Sequence, residues 1–366
     1  MMSASRAEVA GKSCHASTYG PTPLTTRASG TRHPDIAMIV IAIAEPLLSR
    51  ILPPPLMAEL RELDPVALVP SLGDTDSTLK TLAEAEILVT GWGSRLVDAD
   101  VLAMAPRLRA VVHTAGSVRS VVTPEVYSRR VVVSSQAWAN ALPVAEYTLA
   151  IILLSAKGLL RMRDRYRKTL GKIDVQAELD WFGTYRVQVG IIGASTIGRR
   201  VIELLRPFDL NVELYDPTVS ADEAAALGVR ALTLDELMRT SRVVSLHAPL
   251  LPSTEGMIGA PQLAALPDGA TLINTARGAL VDEAALVREL ASDRISAVLD
   301  VTWPEPPSAD SLLWTLPNLF LTPHIAGSLG IELARMGASA VREVARICRG
   351  EALHHEVQAD AYERLA

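Results

Sequence analysis

Three side chains in the last third of the chain have the types that acid–base chemistry beside a carboxylate requires. Arg277 lies in Asn274-Thr275-Ala276-Arg277-Gly278, directly after the apolar run Ala270–Asn274. Glu305 lies in a proline-rich turn after Ile295–Val301, and His324 follows Leu319–Thr322 in Thr322-Pro323-His324. A guanidinium can hold a carboxylate, an imidazole can move a proton, and a second carboxylate can orient that imidazole. Together they are the groups needed to interconvert a 2-hydroxy acid and a 2-keto acid. Taken singly each has a plainer reading. His324 suits a loop histidine, Arg277 a strand-end cap or a partner for Asp282, and Glu305 a turn acid.

A nucleotide-type turn stands upstream of all three. Gly193-Ala194-Ser195-Thr196-Ile197-Gly198 follows the strand-like run Val187–Ile192 and opens a helix at Ile197–Leu205. In G-x-G-x-x-G the first glycine makes the turn, the second admits the pyrophosphate, and the third lets helix and strand pack closely. Ser195 occupies the middle position here. It is short enough to fit and offers a hydroxyl to a phosphate oxygen. The amides of Thr196 and Ile197 would meet the phosphate at the helix N-terminus. Asp216, 23 residues after Gly193, ends the next strand in Leu214-Tyr215-Asp216-Pro217, where an acid is expected to bond the ribose hydroxyls. A carboxylate there repels a 2′-phosphate, so NAD is favoured over NADP.

These motifs need a scaffold, and the chain supplies an alternation. Short apolar runs at Ile39–Ala44, Val66–Val69, Ile87–Thr90, Ala110–His113 and Val131–Ser134 are separated by helix-like stretches. A second series reads Val187–Ile192, Asn211–Tyr215, Val243–His247, Ala270–Asn274, Ile295–Val301 and Leu319–Thr322. Alternation of this kind indicates parallel βα units. One long helix is expected from about Val144 to Arg167, apolar first and basic later. Another, about Ile331–Arg349, is left over once the second sheet is complete, and it is expected to pack back on the first block. The fold class is therefore α/β, with a doubly wound domain inserted into a discontinuous one. The expected boundaries are 38–141 with 325–366 for the substrate-binding domain, and 142–324 for the nucleotide-binding domain.

Composition narrows the partners. The 366 residues are 49% hydrophobic and 21% charged, with a net charge of −6. That is enough chain for two cores, and the negative balance argues against nucleic acid or an anionic membrane as partner. The apolar segment Thr148–Ala156 is shorter than the roughly 20 residues that span a bilayer, so a buried helix is expected. Two cysteines, Cys14 and Cys348, give neither a disulfide framework nor a metal-ligand spacing, which suits a reducing cytoplasm. Residues 1–37 differ from the rest. The stretch to residue 35 is rich in Ser, Thr, Gly, Pro and basic residues, and its only acids are Glu8 and Asp35. This resembles a transit peptide in composition, but no amphipathic basic helix is evident, so a disordered extension is expected.

The Gly193–Gly198 turn, the run Asn274-Thr275-Ala276-Arg277-Gly278-Ala279-Leu280-Val281-Asp282-Glu283, and the series Leu299-Asp300-Val301, Glu305-Pro306, Thr322-Pro323-His324 together resemble the D-isomer-specific 2-hydroxyacid dehydrogenase family, which includes phosphoglycerate, glycerate and formate dehydrogenases. The resemblance covers roughly Ile39 to Arg349. It implies an NAD-dependent dehydrogenase with Arg277 gripping the substrate carboxylate, His324 as acid/base, and Glu305 bonding the other ring nitrogen. It places Asp300 near the nicotinamide carboxamide and extends the cofactor set to His247, Thr275, Ala276 and Gly327. On the substrate side it implies a loop of anion-binding amides at Ala115-Gly116-Ser117-Val118, where Gly116 and Ser117 are the candidates. The sequence departs from the family pattern here, with Ser117 for a glycine and Arg119-Ser120 for Asp-Asn. Arg119 reads as a surface cation or, if it faces the cleft, a site for a second anionic group. His113 and Trp92 are further pocket candidates, and Trp92 suits core packing equally. The family's habits imply a homodimer. Two other readings stay open: an NADH-sensing interaction module like the corepressors that resemble this family, and a hydrolase using transient oxidation.

Overall fold

Runs of valine, isoleucine and leucine that are apolar on both faces become strands only where helices cover both sides of a sheet. In the computed structural model, which describes residues 37–73, 75–178 and 182–362, such runs build two all-parallel sheets. The extension expected over residues 1–37 lies outside the described residues apart from Ala37.

The first sheet contains β1 (Met38–Ala42), β2 (Val66–Leu68), β3 (Ala85–Thr90), β4 (Ala110–His113) and β5 (Val132–Ser135), in the order β2-β1-β3-β4-β5. The second contains β6 (Gln188–Ile192), β7 (Asn211–Tyr215), β8 (Arg230–Ala231), β9 (Val243–Leu246), β10 (Thr271–Asn274), β11 (Ser296–Leu299) and β12 (Leu319–Leu321), in the order β12-β11-β10-β9-β6-β7-β8. Both are Rossmann-like. The two-residue β8 is the one strand not anticipated. Both its residues are exposed, so no apolar run announces it. In such sheets, ligands bind beyond the carboxyl ends of the strands, where the strand order reverses. That point lies between β1 and β3 in the first sheet and between β6 and β9 in the second.

The long helix departs from expectation. It begins earlier, at Ala137, and ends at Ala156, and a separate helix runs over Leu159–Thr169. Gly158 causes the break. It sits at φ 66, the left-handed conformation that glycine adopts without a Cβ penalty and that commonly ends helices. At 20 residues and a mean hydropathy of 1.4, Ala137–Ala156 is long and apolar enough to cross a membrane, but over half of it is buried. Ala145, Ile151, Ile152 and Ala156 share a core with Val189, Ile191, Val201, Ile202 and Leu205.

The final long helix, Leu333–Arg349, returns to the first sheet. Its Leu333, Met336, Ala340, Val341 and Val344 pack with Ile39, Ile41, Ile51, Leu60 and Val112. Burying each such aliphatic side chain is worth about 1.5–3 kcal/mol, ample to hold the return. Glu343, 1% exposed on the same helix, accepts hydrogen bonds from Ser134 Oγ (3.2 Å) and from the amides of His354 (3.3 Å) and His355 (3.0 Å). The first sheet, built from residues 38–135, is thus covered by a helix from the other end of the described chain, and the second sheet lies between them in sequence.

Candidate active site

β6 runs into Gly193, whose φ is 97. A Cβ at this position would lie 2.6 Å from the Ala248 nitrogen and 2.7 Å from the His247 carbonyl carbon, so only glycine lets the turn pass the end of β9. A Cβ on Gly198 would collide with the Gly193 oxygen, which explains the last glycine of the motif. Between them Ser195 caps the helix Thr196–Leu205, its Oγ accepting from the Gly198 amide at 3.3 Å. Acting as an acceptor there, the hydroxyl keeps its proton for another partner. The amides of Thr196 and Ile197 occupy the first turn, where helix geometry provides no acceptor.

Asp216 stands immediately after β7. One carboxylate oxygen accepts from the Ala194 amide at 2.7 Å, and the other from Thr218 through its amide (2.8 Å) and hydroxyl (2.6 Å). Burial acts to raise the Asp216 pKa. The bonds from Thr218 and Ala194, with the nearby Arg199, outweigh it and hold the group below its ordinary value. His247, just after β9, is 3% exposed, and burial lowers its pKa to about 3, so its ring is neutral. Its Nε2 is 2.9 Å from Ser245 Oγ, whereas its Nδ1 is buried without a hydrogen-bond partner. An orphaned ring nitrogen, a capped helix N-terminus and an ionised acid at the next strand end are a donor and acceptor set that fits a dinucleotide. Thr275 and Ala276 are buried after β10, and Thr275 Oγ1 lies 3.1 Å from Thr148 Oγ1 of the long helix.

Strands β10, β11 and β12 are neighbours, so the residues that follow them share one edge. Arg277 follows β10 in a turn fixed by Asn274, whose Nδ2 donates to the Arg277 oxygen (2.8 Å) and whose Oδ1 accepts from the Ala276 amide (3.0 Å). Burial lowers the Arg277 pKa, and the Glu305 carboxylate opposes that shift, so the two groups lie within electrostatic reach. Glu305 Oε1 is 2.7 Å from His324 Nδ1. The guanidinium, the carboxylate and the imidazole therefore gather in one place. With Nδ1 held by a carboxylate, the neutral ring carries its proton on Nδ1 and leaves Nε2 as the base. His324 is half exposed and sits at φ 54, a region non-glycine residues rarely occupy.

Asp300 holds His324 in that conformation. The Asp300 backbone oxygen accepts from the His324 amide at 2.9 Å. Its carboxylate accepts from Thr322 Oγ1 (2.6 Å), the Ile325 amide (2.8 Å) and the Ala326 amide (2.8 Å). Tyr147 Oη, 3.2 Å from Thr322 Oγ1, must be the donor to it, because the threonine proton is already directed at Asp300. Asp300 is thus a buried organiser of the loop that carries the imidazole. The Tyr147–Thr322 link escapes sequence reading because it joins residues 175 positions apart.

On the first sheet, Gly116 and Ser117 follow β4 and are partly buried, and Arg119 is exposed. The loop is pinned from behind. The Gln136 amide donates to Ala115 O at 2.9 Å, and Ser135 Oγ donates to Gly116 O. Asn140 connects this loop to the catalytic one. Its Oδ1 accepts from the Ser328 amide at 2.9 Å and would lie 3.4 Å from a Cβ on Gly327, while its Nδ2 would lie 3.8 Å from a Cβ on Gly116. Sequence reading places only an expected domain boundary beside Asn140, at 141/142. His113, last in β4, is 1% exposed. Its Nδ1 is 3.0 Å from Thr90 Oγ1, and burial lowers its pKa to about 4, which places it behind the substrate loop rather than in it. Among the described residues, no group of three or more His, Cys, Asp or Glu side chains is placed to hold a metal ion.

The chain is similar to known proteins in sequence and in fold. Residues 149–326 match the family described as D-isomer specific 2-hydroxyacid dehydrogenase, NAD binding domain. The chain is 33% identical over 279 residues to D-3-phosphoglycerate dehydrogenase of Mycobacterium tuberculosis, covering 76% of this chain and 52% of that protein. It is 29% identical over 274 residues to hydroxypyruvate reductase of Thermotoga maritima, covering 74% of this chain and 87% of the other. The chain spans about half the length of the phosphoglycerate dehydrogenases it matches. Among solved structures, D-lactate dehydrogenase of Aquifex aeolicus with NAD and lactic acid superposes with a TM-score of 0.63 at 25% identity, covering 86% of this chain and 96% of that one. A Thermus thermophilus protein gives 0.68 at 29% identity, covering 88% and 100%.

Proposed function

We propose, from the premise that this chain belongs to the D-isomer specific 2-hydroxyacid dehydrogenase family, that it interconverts a D-2-hydroxy acid and the corresponding 2-keto acid with NAD as cofactor. The observation that carries the reading is the 2.7 Å bond between His324 Nδ1 and Glu305 Oε1, on an edge that also holds the mostly buried Arg277.

The turn Gly193–Gly198 with Asp216 would hold the cofactor, which supplies the hydride acceptor for oxidation and the donor for reduction. Arg277 grips the substrate carboxylate with two parallel N–H donors and polarises the neighbouring oxygen. In oxidation, His324 Nε2 takes the hydroxyl proton as the C2 hydrogen leaves with its electron pair. In reduction, it returns the proton to the carbonyl oxygen. Glu305 accepts the hydrogen bond from Nδ1 and so fixes the ring orientation. Asp300 holds the loop so that the imidazole meets the substrate rather than solvent. Gly116 and Ser117 give the substrate its second wall with backbone amides, and the bridge at Asn140 supports their approach to the catalytic loop. In this reading residues 38–141 and 325–366 form the substrate domain, and 142–324 the cofactor domain.

The enzyme is read as a cytoplasmic homodimer. The helix Leu159–Thr169 buries none of its own residues, and Tyr166 within it and Leu170 just after it are exposed, which supports a contact with a second copy. The corepressor-like alternative gains no support from the relatives described above. The relatives' names cover phosphoglycerate, hydroxypyruvate and lactate, so the test is a panel of 2-keto acids. The full chain should oxidise NADH with at least one 2-keto acid, read as loss of absorbance at the nicotinamide band. Binding of NADH without turnover of any 2-keto acid would overturn the assignment.

A further inference from the structure

The dehydrogenase reading leaves open which group the substrate carries beyond C2, and the exposed tryptophans bear on it. Only 4% of the chain is aromatic, and the described tryptophans all keep between 38% and 67% of their surface in solvent. Two of them have partners: Trp138 stacks on His355 at 5.6 Å, and Trp314 Nε1 donates to Ser308 O at 2.9 Å. The others stand on loops at the carboxyl edges of the two sheets. Trp303 lies between Asp300 and Glu305. Trp92 follows β3 at the point where the strand order of the first sheet reverses.

The turn that presents Trp92 is clamped on both sides. Ser94 Oγ accepts from the Gly91 amide (3.0 Å) and donates to Ala42 O at the end of β1 (2.6 Å). Thr114, after β4, directs its amide and its hydroxyl to Thr90 O, each at 2.8 Å. The backbone that carries Trp92 is therefore fixed, and a ring on a fixed turn loses less freedom when something covers it than one on a loose loop. Charge at the same edge is sparse. Arg277 is committed to the substrate carboxylate. Arg95 donates to Leu72 O at 2.9 Å, on the side of β2. Gly116 and Ser117 are uncharged. A second anionic group on the substrate would have to rely on the exposed Arg119.

We infer that the cleft selects 2-keto acids whose C3 substituent is uncharged and apolar or aromatic, with Trp92 as the surface on which that substituent packs. The inference rests on the dehydrogenase reading, and pyruvate separates the two. The full chain is assayed with NADH against pyruvate, phenylpyruvate and 3-phosphohydroxypyruvate. The kcat/KM for phenylpyruvate should exceed that for the phosphorylated acid by at least about tenfold, within the range a hydrophobic pocket supplies. Trp92→Ala should lower the phenylpyruvate-to-pyruvate ratio about tenfold, and Trp92→Phe should restore most of it. Trp314→Ala, which removes a comparably exposed ring whose indole is already bonded to Ser308 O, should leave the ratio as it is. A preference for the phosphorylated acid that Arg119→Ala abolishes would overturn the inference and leave the dehydrogenase reading intact. So would an unchanged ratio in Trp92→Ala, or an equal fall in Trp314→Ala. Turnover of none of the three would count against both.

Discussion

At the end of a central strand in each sheet stands a buried histidine. His113 closes β4 of the five-stranded sheet, and His247 follows β9 of the seven-stranded one. Each is bonded to a hydroxyl on its own sheet, Thr90 in one case and Ser245 in the other, and burial keeps each neutral. His324, at the end of the edge strand β12, has the same side chain and a different environment. It is half in solvent, turned outward by a left-handed backbone, and bonded to a carboxylate rather than a hydroxyl. Residue type alone does not make an acid–base group. Access to the substrate and a charged neighbour do, and only the seven-stranded sheet provides them. The five-stranded sheet contributes amides, small residues and an indole. On the proposed function, chemistry and selection are divided between the two edges.

The largest expected effect tests that division directly. His324→Asn should lower kcat by about 10²–10⁴, the usual contribution of a positioned acid–base group, with the NADH dissociation constant nearly unchanged in a fluorescence titration. His113→Asn should have no comparable effect on the chemical step. If the two substitutions slow turnover equally, the comparison fails.

A second test uses pH. For both buried histidines the folded-state pKa, about 4 for His113 and about 3 for His247, lies below the value of about 6.5 expected in the unfolded chain. Between those limits the unfolded chain binds protons that the folded chain excludes, so their contribution to stability is present above pH 6.5 and is lost as pH falls towards 4 and below. The loss should be of the order of 3 kcal/mol per histidine. Chemical denaturation across pH 4–7 measures it, and His113→Gln should flatten part of the slope. A stability that does not fall in this window would mean that the rings are more solvated than their burial implies.

The smallest expected effect concerns the cofactor. Asp216→Ala removes the acceptor of the Ala194 amide and the charge that, in the proposed function, would meet the ribose. It should weaken NADH about tenfold, in line with the loss of one charge-assisted hydrogen bond, and narrow the preference over NADPH. Competition titration of the two nucleotides checks this, and unchanged selectivity would remove Asp216 from the cofactor site.

Much of this arrangement was legible beforehand because it depends on local rules. The βα alternation, the glycine turn and the return of the last helix follow from periodicity and from the bulk a Cβ would add at Gly193 or Gly198. The break at Gly158 was missed because the apolar and basic stretches on either side both suit a helix, and one glycine in the left-handed region outweighs them. Arg277, Glu305 and His324 were recognisable by type and by the strand each follows. The sequence by itself therefore determined the two sheets, the order of their elements and the list of chemically able side chains. The tertiary structure decided which of those side chains meet. Neighbouring strands β10, β11 and β12 bring residues 277, 305 and 324 to one edge, Asp300 ties down the loop that carries the imidazole, and Asn140 lies between the Gly116 loop and the Gly327–Ser328 segment. Such contacts join positions far apart in the chain, and they are set by strand order and hydrogen-bond geometry, which no local pattern encodes.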